Sequence, residues 1–62
     1  MMILTDIDGI KFELDANMIN GLLSKHKSGM KCTEVSTIMK DSLLVKETPA
    51  EIIALIRKEQ QA

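Results

Sequence analysis

The alternation of apolar and polar positions over the first fourteen residues predicts a β-hairpin. Two β-prone runs, residues 2–7 and 10–14, flank the dipeptide Asp8-Gly9. An Asp-Gly pair between such runs is the strongest short-range hairpin signal, because both residues tolerate the positive φ of a type I′ turn. With Asp8-Gly9 as a two-residue loop, the predicted register places Ile3 opposite Leu14. The first hairpin is therefore predicted over about residues 2–14.

This register predicts which side chains of the hairpin face the core. Side chains alternate between the two faces of a strand. The predicted inner face collects the larger apolar set: Ile3, Ile7, Ile10, Phe12 and Leu14. Met2 and Leu4 fall on the opposite face, where the chain offers no cover for them. Met2 and Leu4 are therefore the candidate self-association surface. A homodimer is expected, because exposed apolar strand surface tends to pack against a second copy of the chain.

A helix is predicted at about residues 49–59. Thr48-Pro49-Ala50-Glu51 has the pattern of a capping box with proline at the first helical position. The apolar positions that follow recur at helical spacing and form one stripe: Ile52, Ile53, Leu55 and Ile56. Arg57 and Lys58 lie near the predicted C-terminus, where the helix dipole favours positive charge.

The middle of the chain gives a weaker pattern. Residues 18–24 are compatible with two turns of helix or with a short strand, and residues 24–29 are predicted to form a polar loop. The Thr, Val and Ile content of residues 30–39 indicates a strand, and a turn at residues 40–42 makes a second hairpin over about 31–46. The expected fold is a single α+β domain over residues 1–62: a small antiparallel β-sheet of two hairpins with a C-terminal α-helix closing one face.

Composition and charge change this picture only slightly. Hydrophobic residues make up 45% of the 62 residues, so the chain is expected to fold. The net charge of −1 is too small to attract the protein strongly to nucleic acid or to a membrane surface. Cys32 is the only cysteine, so no internal disulfide is available and self-association is the expected source of extra stability. No signal peptide or membrane-spanning run is recognised, so a soluble, cytoplasmic protein without membrane insertion is expected.

Candidate chemistry is sparse. No catalytic, cofactor-binding or metal-ligating set is recognised, so we expect a protein that is not an enzyme and needs no cofactor. Cys32 is expected to be a small buried side chain in a strand, and His26 a solvated loop residue. The one local basic cluster is the candidate nucleic-acid patch: Lys25, His26, Lys27 and Lys31. Nucleic-acid binding is not favoured, because Phe12 is the only aromatic residue available for base stacking.

The order of several short motifs resembles the FlbD/SwrD family of small flagellar and swarming-motility proteins. The resemblance covers most of the chain and is carried by Ile3-Leu4-Thr5, Asp8-Gly9, Phe12-Glu13-Leu14-Asp15, Ile19, Val35-Ser36-Thr37-Ile38, Leu44-Val45-Lys46-Glu47-Thr48 and Glu51-Ile52-Ile53. The closing motif, Val45-Lys46-Glu47-Thr48 with Ile52, matches best. A weaker likeness, confined to the first strand through Thr5, is to the carbon storage regulator, an RNA-binding dimer.

The resemblance implies a small non-enzymatic regulatory or adaptor protein that acts through protein-protein interaction in flagellar or motility regulation. The alternative, from a different functional class, is a small RNA- or nucleic-acid-binding regulator, bacterial or phage-encoded. The sequence identifies no individual partner.

Overall fold

The structure is a computed structural model that describes residues 1–61. Within those residues it has five strands and a C-terminal helix: β1 Met2–Thr5, β2 Lys11–Leu14, β3 Ile19–Lys27, β4 Met30–Thr37, β5 Ser42–Val45 and α1 Pro49–Gln60. One turn of 3-10 helix, Ala16–Met18, precedes β3. Two antiparallel sheets and one helix confirm the predicted α+β class.

Strands β1 and β2 form one sheet, and the other has the order β3-β4-β5. An isolated bridge between Asp6 and Val45 connects the two sheets. The Lys46 amide donates to the Thr5 carbonyl oxygen at 2.8 Å, and the Thr5 amide donates to Glu47 Oε1 at 2.9 Å. These contacts arrange the strands in the order β2-β1-β5-β4-β3, which leaves β2 and β3 at the outer edges.

The first hairpin is present, but its loop has three residues rather than two. The Asp6 amide donates to the Ile10 carbonyl oxygen at 2.9 Å, and the Gly9 amide donates to the Asp6 carbonyl oxygen at 3.0 Å. Gly9 has a φ of 90°. This is a type I turn followed by a residue in the left-handed region. Leu4 consequently lies opposite Phe12, one residue away from the predicted register.

The one-residue difference reverses the two faces of β1, because side chains alternate along a strand. Leu4 is fully buried and Met2 is 4% exposed, whereas Ile3 is 58% and Ile10 is 64% exposed. The predicted self-association surface at Met2 and Leu4 is therefore wrong, since both side chains already lie in the core of a single chain. The predicted inward orientation of Ile3 is wrong for the same reason. Ile10 has the alternation of Phe12 and Leu14, which pack against the core, but it precedes β2 at the end of the loop and is exposed, so its predicted burial is also wrong.

Gly9→Val should lower the free energy of unfolding by roughly 1–2 kcal/mol, because a β-branched residue is strained at positive φ. An added Cβ at Gly9 would meet nothing closer than Lys46 Nζ at 3.9 Å, so the cost comes from the backbone and not from a clash. Gly21→Ala is the matched control, since its Cβ would make an ordinary 3.5 Å contact with Ser36. Urea denaturation of both variants measures the difference, and equal stability would contradict the turn assignment.

The two-residue turn belongs to the next hairpin, between β3 and β4. Lys27 pairs with Met30, and Ser28 and Gly29 between them have φ values of 52° and 77°. Positive φ at both central residues defines a type I′ turn. The predicted polar loop over residues 24–29 is therefore wrong except at these two positions. Of the alternatives for residues 18–24, the structure has a strand, which continues to Lys27 after the 3-10 turn.

The second predicted hairpin, β4–β5, is present. Its turn repeats the geometry of the first: the Lys40 amide donates to the Thr37 carbonyl oxygen at 3.0 Å, and the Thr37 amide donates to the Asp41 carbonyl oxygen at 2.9 Å. Lys40 takes the positive-φ position, at 67°. The turn holds Ile38 and Met39 on the surface.

Helix α1 begins as the capping box predicts. The Glu51 amide donates to Thr48 Oγ1 at 3.1 Å, and the Thr48 amide donates to Glu51 Oε1 at 3.2 Å. Ile52 of the predicted stripe is buried, and Leu55 and Ile56 pack against the core, so these three side chains cover the inner face of the strands. The predicted place of Ile53 in the stripe is wrong, because its side chain is 43% exposed. The buried cluster between the helix and the strands contains Met2, Leu4, Val35, Val45 and Ile52.

Thr48→Ala should lower the free energy of unfolding by about 1 kcal/mol, because it removes the acceptor for the Glu51 amide. Thr48→Ser keeps the hydroxyl and is expected to retain most of the stability. Paired denaturation curves for the two variants measure this difference. A serine variant as destabilised as the alanine variant would show that the cap hydrogen bond is not responsible.

Candidate functional surfaces

The folded chain exposes more large apolar side chains than it buries. Among the described residues, six apolar side chains are buried. Nine large ones are exposed: Met1, Ile3, Ile10, Leu23, Met30, Ile38, Met39, Leu43 and Ile53. Single exposed apolar residues are ordinary, but contiguous apolar patches on a small protein mark sites of interaction. The arrangement of these residues therefore decides whether they form such a patch.

The clearest arrangement is a groove between the first hairpin and β5. It has a volume of about 540 Å³. Its apolar residues, which we call the apolar groove, are Ile7, Ile10, Phe12, Leu43 and Leu44. Ile10 and Leu43 are its most exposed members, at 64% and 37%. Phe12 packs against the core cluster and forms the floor with Leu43, whose strand partner is the buried Val35. Leu44 and its strand partner Glu34 lie on the opposite face of the β3-β4-β5 sheet.

Local backbone geometry positions the apolar groove. The three-residue loop places Ile7 within the turn and Ile10 directly after it. Phe12 lies opposite Leu4 in the hairpin and packs against the core cluster. Leu43 and Leu44 lie on β5, opposite Val35 and Glu34 of β4. The groove is thus built from two hairpins that are distant in the sequence and are brought together by the connection between β1 and β5.

Carboxylates flank the apolar groove. Asp6, Asp8 and Glu34 line it, and among the described residues no lysine or arginine does. Asp6 Oδ1 accepts from the amides of Asp8 and Ile10 at 2.9 and 3.0 Å, which fixes this carboxylate at the turn. Glu34 Oε1 is 3.8 Å from Lys25 Nζ. Asp8 is exposed and also lines a second pocket together with Lys27 and Lys46.

The predicted nucleic-acid patch lies on the β3–β4 hairpin, divided between its two faces. Lys25 pairs with Cys32 across the strands, whereas His26 pairs with Lys31. Directly paired side chains share a face, and successive positions alternate. Lys25 and Lys27 therefore lie on one face, and His26 and Lys31 on the other. All four side chains are exposed, but they do not form one flat basic surface.

The structure adds Lys46 to this basic region. Two pockets, of about 210 and 310 Å³, are both lined by Cys32 and Lys46. Lys27 and Asp8 line the larger pocket, while Lys25 and Glu47 are among the residues that line the smaller one. Each pocket thus contains negative as well as positive side chains.

Sequence spacing did not reveal Lys46, which is distant from the basic cluster along the chain. Thr33 pairs with Val45, so the antiparallel register brings their neighbours Cys32 and Lys46 together. A correct register for the second hairpin is the one signal that would have placed Lys46 beside the predicted patch.

The single cysteine and the single histidine both lie on strands, Cys32 on β4 and His26 on β3. Cys32 is a buried free thiol on β4, which confirms the expected small buried side chain in a strand. His26 is exposed as expected, but it belongs to β3 rather than to a loop.

Residues 1–61 offer neither a cluster of metal-binding side chains nor a helix suited to cross a membrane. They contain no group of three or more histidine, cysteine, aspartate or glutamate side chains arranged to hold a metal ion. No helix in this part of the chain has both the length and the apolar character needed to cross a membrane.

Comparison with known proteins adds no relative to this description. The chain matches no family model, no curated protein and no solved structure. The function of this chain must therefore be inferred from its own residues and surfaces and from the sequence resemblance.

Proposed function

We propose that this chain is a small non-enzymatic regulatory or adaptor protein that acts by binding another protein. The observation that carries the proposal is the set of large apolar side chains that the folded chain leaves exposed, nine against six buried apolar residues. Burial of apolar surface is the dominant favourable contribution to most protein association. A partner that covers part of this set gains binding free energy without any rearrangement of the core.

The FlbD/SwrD resemblance supplies the proposed setting, which is flagellar or motility regulation. Its best-matched motif, Val45-Lys46-Glu47-Thr48, has clear structural roles. Glu47 accepts from the Thr5 amide through its side chain, and its carbonyl oxygen accepts from Thr33 Oγ1 at 2.6 Å. Thr48 caps the helix. Because these residues hold the strands and the helix together, the motif supports a fold shared with that family. The exposed surface of this chain would then determine which partner it binds.

Affinity capture with and without ribonuclease tests the proposed function. The folded chain, tagged at its C-terminus and returned to cells of its source, should retain a protein in amounts comparable to its own. Ribonuclease treatment should leave that protein bound, because the contact is proposed to be between proteins. Recovery that disappears with ribonuclease would contradict the proposal.

A second candidate function, RNA binding, is favoured by the addition of Lys46 to the predicted basic cluster. A gel-shift titration with total cellular RNA distinguishes it from the adaptor function. Submicromolar binding that weakens with salt, and is lost when Lys25, Lys27 and Lys31 are all replaced by alanine, would identify phosphate contacts. Lys46→Ala should then weaken binding further, whereas Lys58→Ala on the helix is the matched control. That result would overturn the adaptor proposal.

A further inference from the structure

We propose that the apolar groove binds a basic amphipathic segment of a partner protein, with apolar side chains on its floor and lysine or arginine beside its carboxylates. The inference deepens the proposed function, on which it rests, by naming the surface and the chemistry of the partner. Two observations support the proposal. Ile10 and Leu43 are exposed at the groove, and no lysine or arginine is among the described residues that line it.

The shape of the groove suits contact with a peptide segment. With a volume of about 540 Å³ it is widely open to solvent, so it resembles a surface that a few side chains cover and not a pocket that encloses a compact ligand. Amphipathic helices that dock in grooves insert apolar residues spaced three and four positions apart. Ile10 and Leu43 belong to different hairpins, so such a segment would contact both and span the groove between them.

Charge selects the class of partner. Asp6 and Asp8 place negative charge beside the apolar floor. Glu34 lies on the other face of the β3-β4-β5 sheet, with its Oε1 3.8 Å from Lys25 Nζ. Lys27 and Lys46 line a second pocket with Asp8 and offset part of the charge. Complementary charge steers association and disfavours partners of the same sign. An anionic segment, or nucleic acid, would place like charges together and is therefore disfavoured here.

The same charges argue against a second copy bound groove to groove. A twofold contact uses the same patch on both copies. It would bring Asp6 and Asp8 of one copy against the same carboxylates of the other. The competing contact between copies uses helix α1, where exposed Ile53 lies one turn before Arg57. Binding of one copy through helix α1 of another would make the protein self-associate. The oligomeric state therefore distinguishes this alternative from binding of a segment of another protein.

Fluorescence anisotropy with synthetic peptides tests the proposal. The probe is a labelled peptide of about 14 residues with leucines at helical i, i+3, i+4 and i+7 spacing and lysines elsewhere. A control peptide has glutamate in place of every lysine, and a second has the same composition with leucines spread around the helix. We expect saturable binding of the lysine probe and at least about tenfold weaker binding of both controls.

Variants of the groove determine where the probe binds. Ile10→Ser and Leu43→Ser should each weaken binding about fivefold or more, as expected for central apolar contacts. Asp8→Asn should weaken it less and reduce its dependence on salt. Ile53→Ser is the matched control, because Ile53 is 43% exposed but lies on the helix, away from the groove. Circular dichroism verifies that all four variants fold.

Each alternative outcome contradicts the groove proposal in a recognisable way. If the lysine probe does not bind, or if Ile10→Ser and Leu43→Ser leave its affinity unchanged, the groove does not take a basic segment. If sedimentation shows a dimer that Leu43→Ser and Ile53→Ser both dissociate, a second copy occupies the groove. In either case, capture of a protein that resists ribonuclease would still support the proposed function. Loss of that capture would contradict the proposed function as well.

Discussion

Replacing Leu4 with lysine should unfold the protein, whereas the same replacement at the neighbouring Ile3 should leave it folded. Leu4 is fully buried and Ile3 is 58% exposed. An unpaired charge in the core costs on the order of several kcal/mol. A domain of this length has a free energy of unfolding of roughly 3–9 kcal/mol at 0.05–0.15 kcal/mol per residue. Leu4→Lys therefore removes most or all of the stability.

Thermal and urea denaturation followed by far-UV circular dichroism measure both variants. The pair is matched because the two residues are adjacent and the introduced side chain is the same. A two-residue Asp8-Gly9 loop makes the opposite prediction, with Ile3 inside and Leu4 outside. A folded Leu4→Lys protein together with an unfolded Ile3→Lys protein would contradict the observed register.

Ile52→Ala should destabilise the protein by about 2–5 kcal/mol, because it leaves a cavity beneath the helix in addition to removing buried apolar atoms. Ile52 is fully buried within the core cluster and is the one buried residue of α1. Ile53→Ala provides the matched control at the next position, where the side chain is 43% exposed. Substitutions at such surface positions usually change stability by about 0.5 kcal/mol or less.

Urea unfolding midpoints for Ile52→Ala and Ile53→Ala measure this difference. Both variants keep the capping box and the same helix propensity, so the comparison isolates packing. Similar losses for the two would mean that the helix does not pack through Ile52, and the described core would then be incorrect.

The local signals in the sequence predicted the elements but not how the first hairpin pairs. The capping box at Thr48 fixed the start of α1, and both predicted hairpins are present. The register of β1 and β2 failed because Asp-Gly serves two types of loop. Gly9 supplies positive φ as the second residue of a two-residue loop or as the last residue of a three-residue loop. Only the hydrogen bonds of Asp6 distinguish the two.

The basic segment of β3 was harder to predict for a different reason. Residues 24–27 are polar and exposed, which is also the character of a loop. Their strand conformation comes from pairing with β4 and from the Ser28-Gly29 turn, and both are properties of the folded hairpin. Composition alone does not contain this information, since polar strands at an edge and loops have similar residues.

The candidate surfaces depend on tertiary contacts and were therefore only partly predictable. The lysines around His26 are adjacent in sequence and were identified, whereas Lys46 joins them only through the β4–β5 register. The apolar groove was missed because Ile10 was expected to face the core and because Leu43 lies on another hairpin. The connection between β1 and β5 at Asp6 and Val45 brings these elements together.

The proposed function requires that exposed apolar side chains of the folded chain bind a partner protein. Quantitative affinity capture with three folded variants measures this: Ile10→Ser with Leu43→Ser in one chain, Ile38→Ser with Met39→Ser in a second, and Lys25→Ala with Lys27→Ala in a third. We expect at least one apolar variant to lose the captured protein at least about fivefold, with the groove variant most affected, while the lysine variant retains it. Loss confined to the lysine variant, with both apolar variants unchanged, would show that the apolar side chains do not bind the partner.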